Sequence, residues 1–327
     1  MFYPVRSVSC LALLLFLLTF RTTSYSQTSL NEVHVAPRRV EVASVLPGRA
    51  LIRSSADLVL VPVTITDGLD RPVLGLDRDN FQLYENKKPQ AIKHFSSEDT
   101  PVSIGLIVDM SGSMANKMER TREAIHDFCE ASNPQDEFFM VTFSDAPSLA
   151  TDFTNNGAEL ENSLLTSQSK GRTALLDAIY MGLRKMKHAR YPRRALLILS
   201  DGGDNHSRYS ERDVRNAVKE ADVLLYAVGT YDQYVNTQEE LLGPELLRSI
   251  TEVTGGKAYT VTDLRILPAV TKAIGTQLRH QYVLAYQPQS SPHNGKWYKI
   301  NVKLRLPKSL HAFLHVTARS GYYASSE

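Results

Sequence analysis

Two hydrophobic rhythms divide the chain. Between Val102 and about residue 280, short apolar runs alternate with stripes of helical spacing. The runs are Ser103–Asp109, Phe138–Phe143, Ala195–Leu199 and Val223–Val228. Each is nearly continuous in apolar residues, as strands become when helices cover both faces of a parallel sheet. The stripes are Met118, Ile125, Phe128 and Cys129; Leu176, Ile179, Leu183 and Met186; Val214, Ala217, Val218 and Ala221; Leu246, Leu247 and Ile250; and Ile266 through Leu278. Their spacing predicts amphipathic helices. Ser148–Phe153 adds a strand and Lys257–Val261 a short edge strand after the Gly255-Gly256 stop. Repeated strand–helix alternation demands right-handed crossovers, hence a doubly wound, Rossmann-like α/β domain over 100–280.

Outside that domain the rhythm has a period of two. Val59, Val61, Val63 and Ile65 alternate with Leu58, Leu60, Pro62, Thr64 and Thr66. A turn at Asp67-Gly68 follows, then strands at Phe81–Tyr84 and Ala91–Phe95, separated by a turn at Glu85-Asn86-Lys87. After Gln281 come Tyr282–Tyr286, Trp297–Leu306 and Phe313–Tyr323. Neither terminal group holds enough strands to fold alone. The expectation is that 55–99 and 281–327 pair into one small β-sandwich flanking the α/β domain. The tyrosines near the carboxyl end, Tyr282, Tyr286, Tyr322 and Tyr323, are expected to pack it.

Residues 1–26 read as a signal peptide: Arg6, an apolar run from Leu11 to Phe20, and small residues at Ser24 and Ser26. The run is shorter than the ~20 residues of a membrane span. Residues 27–54 read as a polar leader. The expected location is therefore exported, periplasmic or secreted, with no membrane insertion once the signal is cleaved. The whole chain holds 37 basic and 35 acidic residues. Removing Arg6 and Arg21 with the signal leaves the two signs balanced. A neutral chain has no general electrostatic claim on nucleic acid, so none is expected as a partner. Of two cysteines only Cys129 outlives processing, so stability must come from packing rather than from a disulfide.

The chemistry concentrates where the α/β strands end. Asp109-Met110-Ser111-Gly112-Ser113 closes the first of them. In open α/β sheets ligands sit outside the carboxyl ends of the strands. The alternate residues Asp109, Ser111 and Ser113 can turn their oxygens to one point there. Gly171-Arg172-Thr173 opens a helix at the same edge, and Ser200-Asp201-Gly202-Gly203 closes another apolar strand. Carboxylate and hydroxyl oxygens suit Mg²⁺ or Ca²⁺, and the absence of His and Cys argues against zinc. Asp177 lies one turn beyond Thr173 on the same helical face, positioned to orient a hydroxyl or a water. Ser113 and Asn116 also suit a simple helix cap, and Asp177 a simple acid in a first helical turn.

This arrangement resembles the von Willebrand factor type A domain and its metal-ion-dependent adhesion site. In that family Asp-x-Ser-x-Ser, a distant Thr and a later Asp jointly hold a cation. Asp109, Ser111, Ser113, Thr173 and Asp201 stand at the five positions. Val61-Pro62-Val63-Thr64, Phe81–Asn86 and Ala318–Tyr323 further resemble a bacterial exported group of such proteins typical of acidobacteria. The resemblance implies a bound Mg²⁺, or Ca²⁺ or Mn²⁺, that accepts a Glu or Asp from a protein partner. It also implies an adhesion or binding role without catalysis. Two alternatives remain open at this stage. One is a structural subunit of an envelope complex with a vestigial metal site. The other is a Mg²⁺-dependent hydrolase with Asp109 as nucleophile, though Ser111 stands where such chemistry wants a second acid.

Overall fold

The computed structural model describes residues 58–165, 169–231, 238–288, 294–307 and 313–324. The expected signal peptide and the leader lie outside these residues. In the amino-terminal part the alternating stretch forms β1 (Val59–Thr66), followed by β2 (Phe81–Glu85), β3 (Lys88–Gln90) and β4 (Ile92–Ser96). Val61, Val63 and Ile65 point inward and are fully buried, as the period-two pattern requires. The tight turn between β2 and β3 puts Asn86 and Lys87 in the left-handed region, at φ 45° and 70°.

The α/β part begins with β5 (Ser103–Asp109), buried along its whole length, and continues into α1 (Met118–Ala131). Then come β6 (Glu137–Phe143), β7 (Pro147–Thr154), α2 (Gly157–Leu165), α3 (Leu175–Met186), β8 (Arg194–Ser200) and α4 (Glu211–Glu220). After β9 (Leu224–Thr230), α5 (Gln238–Thr251), β10 (Ala258–Val261) and α6 (Leu267–Arg279) complete it. The sheet runs β10-β9-β8-β5-β6-β7, parallel except for the antiparallel edge strand β7. Strand order reverses around β5, which places the ends of β5 and β8 side by side at the topological switch.

Alternation along β5 sorts its side chains between two cores. Ile104, Leu106 and Val108 pack with Ile125 and Phe128 of α1 and Ile274 and Leu278 of α6. Ile107 packs on the other face with Ile179 and Leu183 of α3, Val214 of α4 and Leu247 of α5. Burying each large aliphatic side chain contributes about 1.5–3 kcal/mol before conformational entropy is subtracted. The sheet is thus covered on both sides, which is the doubly wound class expected from the apolar runs.

The carboxyl-terminal strands return to the first four. β11 (Tyr282–Tyr286) lies between β1 and β4, and β12 (Trp297–Leu304) lies beside β2, all antiparallel. The stretch expected as one strand over 313–323 divides into β13 (His315–Ala318) and β14 (Gly321–Tyr323). These join different sheets, β13 beside β1 and β14 beside β12. The two four-stranded sheets enclose Val63, Ile65, Phe81, Leu83, Tyr282, Leu284, Tyr286 and Ile300. Within that core the Glu85 carboxylate accepts from the hydroxyls of Tyr286 (2.6 Å) and Tyr322 (3.0 Å). A buried carboxylate is tolerated only when so paired.

Candidate metal centre

Asp109 sits at the last residue of β5, fully buried. The chain then turns sharply through Met110 and Ser111 into a single 3₁₀ turn, Gly112–Met114, before α1. Ser111 N–H donates to Asp109 Oδ1 (2.8 Å), which folds the turn back over the carboxylate. Ser200, the last residue of β8, donates its hydroxyl to Asp109 Oδ2 (2.6 Å) and accepts from Gly202 N–H (3.0 Å). One hydroxyl therefore ties the Asp109 carboxylate to the turn that carries Asp201.

On the outer side the Oγ atoms of Ser111 and Ser113 stand 3.1 Å apart, and Ser113 Oγ donates to Asp201 Oδ2. Four of the five candidate residues are thus joined by direct or one-step hydrogen bonds. Thr173 is buried, and its loop is laced to both neighbours through the backbone. Lys170 N–H reaches Met110 O (2.9 Å) and Gly112 N–H reaches Gly171 O (3.2 Å). Asn205 Oδ1 accepts from Thr173 N–H (3.0 Å), and Thr173 O accepts from the N–H groups of Asn205 (3.0 Å) and His206 (3.2 Å). The hydrogen bonds at Thr173 are backbone bonds, and they bring it to the same edge of the sheet as the other four.

The bonds of Asp177 run to the segment that precedes α4. Its carboxylate accepts from the N–H groups of Arg208 (2.9 Å) and Tyr209 (3.1 Å) and from Arg208 Nε (3.2 Å). It therefore anchors the segment leading into α4. Asp204 and Asn205 play similar parts: Asp204 Oδ1 accepts from Leu176 N–H (3.2 Å) and Ser207 Oγ (2.6 Å).

Burial in this setting is electrostatically costly. Desolvation, followed by the charge of Asp201, pushes the Asp109 carboxyl up to about 6 against the pull of the Ser111 and Ser200 hydrogen bonds. A cation between the two carboxylates would reverse that balance. The donors fit one: all are oxygens, from two carboxylates and facing hydroxyls. An ion here would rest on hydroxyls and two carboxylates, a hard set suited to Mg²⁺. Adjacent ligands on an octahedral Mg²⁺ with bonds of ~2.1 Å lie about 3.0 Å apart. The spacing of the Ser111 and Ser113 hydroxyls is close to that edge length.

Three contributors were not picked out from sequence. Ser200 was readable in principle, as a hydroxyl at a strand end directly before Asp201. Asp145 accepts from Arg172 N–H (2.8 Å), and its carboxylate fills the space beside Gly171, which takes φ 90°. Tyr231 follows β9, and its buried hydroxyl finds no hydrogen-bond partner among the described residues. That hydroxyl rests against Gly202, which takes φ 78°, and a Cβ there would meet Tyr231 Oη at 2.6 Å and Gly243 Cα at 2.9 Å. Gly202→Ala is accordingly expected to cost about 1–3 kcal/mol and to move Asp201 off the Ser113 hydroxyl. A thermal melt and a cation titration of that variant check both effects.

The open sheet with helices on both faces defines a class, a doubly wound α/β module, here with oxygen-bearing side chains gathered at the ends of its central strands. Residues 104–203 match the sequence profile of the von Willebrand factor type A domain, so the chain carries such a domain. Curated relatives include human inter-alpha-trypsin inhibitor heavy chain H4, 26% identical over 134 residues, covering 37% of this chain and 14% of that protein. An uncharacterized protein of Borreliella burgdorferi is 24% identical over 185 residues, covering 49% of this chain and 54% of the other. The chain thus spans at most about half the length of these two. Among solved structures, a von Willebrand factor type A protein from Catenulispora acidiphila aligns over 83% of this chain and 74% of its own, at 12% identity and TM-score 0.48. The corresponding domain of a type V pilus tip protein from Porphyromonas gingivalis aligns over 55% and 95%, at 13% identity and TM-score 0.45.

Proposed function

We propose that the protein is a non-catalytic binding module in which Asp109, Ser111, Ser113, Thr173 and Asp201 hold one divalent cation, Mg²⁺ by preference. The observation that carries this reading is the convergence of two carboxylates and two facing hydroxyls at the switch point of the sheet. When bound, the ion supplies a Lewis-acid position that a Glu or Asp of a partner protein can occupy. The residues prepare that position in distinct ways. Ser200 and the Ser111 N–H hold Asp109 in place. Gly202 and Tyr231 fix the turn that presents Asp201, and Asp177 with Asn205 locks the loops around Thr173. Few carboxylates sit in the set, so the ion would keep positive charge for an incoming acid.

The leader-like residues at the amino end support export to the periplasm or beyond. Among the described residues no helix is long and apolar enough to cross a membrane. Retention of an envelope protein on immobilised chain tests the reading. Retention should need Mg²⁺, reverse with chelator and vanish in the Ser111→Ala, Ser113→Ala double variant; capture indifferent to all three would favour a structural subunit with a vestigial site.

The raised Asp109 carboxyl adds a pH signature. A cation needs the ionised form, and protons compete for it increasingly as pH falls through about 6. Mg²⁺ affinity should hold steady above pH 7 and fall by about tenfold per unit well below 6, as titrations across that range would show.

A further inference from the structure

Resting on the cation reading, we propose that the partner presents its metal-bound carboxylate within an acidic segment whose neighbouring acids lie over Lys170, Arg172 and His206. The bonds that build the site also set these side chains at its rim. Lys170 is held by its N–H on Met110 O, inside the Asp109 loop (2.9 Å). Arg172 directly precedes Thr173, and its N–H is held by Asp145 Oδ1 (2.8 Å). His206 donates its N–H to Thr173 O (3.2 Å), and its Nδ1 lies 3.3 Å from Arg172 Nη1. All three side chains are exposed, and among the described residues neither Lys170 nor Arg172 is in an ion pair. Arg208, also exposed, is in contrast tied to Asp177.

The charge around the site is not uniform, and that gives the segment a direction. Beyond Gly202 the surface carries Asp204, Glu211 and Glu245 around Leu176, Leu242 and Leu246. Glu211 lies 3.6 Å from Arg215 and Glu245 2.6 Å from Arg248, so that side is of mixed sign. On the Lys170–Arg172 side Asp145 accepts from Arg172 N–H, and two cations stand against its one carboxylate. Acids flanking the metal-bound one are therefore best accommodated toward Lys170 and Arg172, which among the described residues have no ion-pair partner. Exposed charge pairs contribute modestly each and are weakened by salt.

The test uses the full chain in Mg²⁺ at low salt and two labelled peptides read by fluorescence anisotropy. One is hexaglutamate, and the other has a single Glu among Gly and Ser. Hexaglutamate should bind about fivefold tighter or better. In Lys170→Glu, Arg172→Glu that advantage should vanish, with single-Glu binding retained and Mg²⁺ uptake by calorimetry unchanged. Lys88→Glu, Lys93→Glu carries the same charge change on the flanking sheet and should behave as wild type. Equal binding of both peptides to wild type, or an undiminished advantage in the rim variant, overturns the proposal while leaving the cation reading intact. Failure of wild type to take up Mg²⁺ overturns both.

Discussion

Asp109→Asn should make the metal-free protein more stable at pH 7 and, at the same time, abolish its response to Mg²⁺. The folded chain holds Asp109 with a proton affinity of about 6, above the ~3.9 of an unfolded aspartate. Below pH 4 both states are protonated and the group costs nothing. Between pH 4 and 6 the unfolded chain releases its proton first, so stability falls as pH rises; above 6 the penalty is complete. Asparagine is neutral and can keep the Ser111 N–H bond while its amide donates to Ser200 Oγ. The expected gain is about 1–2 kcal/mol at pH 7, allowing for an imperfect replacement. Asp136, likewise pushed up to about 6 by burial, is common to both proteins and cancels in the comparison. Mg²⁺ at a hundred times its dissociation constant should then stabilise wild type by about 2.7 kcal/mol and the variant not at all. Chemical denaturation with and without Mg²⁺ should show the order of stabilities invert.

Ser111→Ala with Ser113→Ala should produce the largest functional loss. The two hydroxyls face each other, and one of them is also the partner of Asp201. Their removal takes away two candidate ligands and leaves Asp201 without its hydroxyl. Since losing a group that merely supports a ligand costs about 10–100-fold in metal affinity, losing two ligands should cost at least the upper figure. Both side chains lie in the loop beyond β5, so the sheet and its two cores should survive. Circular dichroism should match wild type while cation-dependent partner capture disappears.

The α/β architecture was legible because its signals are local. Apolar runs such as Ile104–Val108 and stripes such as Leu176, Ile179, Leu183 and Met186 each report their own burial. The flanking sandwich was legible from a shortage: neither terminal group of strands suffices alone, and β1 does lie between β11 and β13. Less visible were features that depend on cross-chain distance. α2 was missed because its apolar stripe is short, with Leu160 and Leu164 buried. The division of 313–323 into β13 and β14 follows from pairing with two different sheets, which no local pattern encodes. At the site, residue types at strand ends pointed to Asp109, Ser111, Ser113 and Asp201, which hydrogen bonds join, while Thr173 comes near them through its backbone. The role of Asp177 was not readable, because its partners Arg208 and Tyr209 lie about thirty residues downstream. Tyr231 was hidden for the same reason, since its meaning lies in contact with Gly202.

Calorimetric titration of Mg²⁺ or Mn²⁺ into the full chain at pH 7.5, beside the double serine variant, bears most directly on the central idea. A single saturable site in wild type and none in the variant is the predicted outcome. Equal heats from both proteins, or no saturable uptake by wild type, would contradict it.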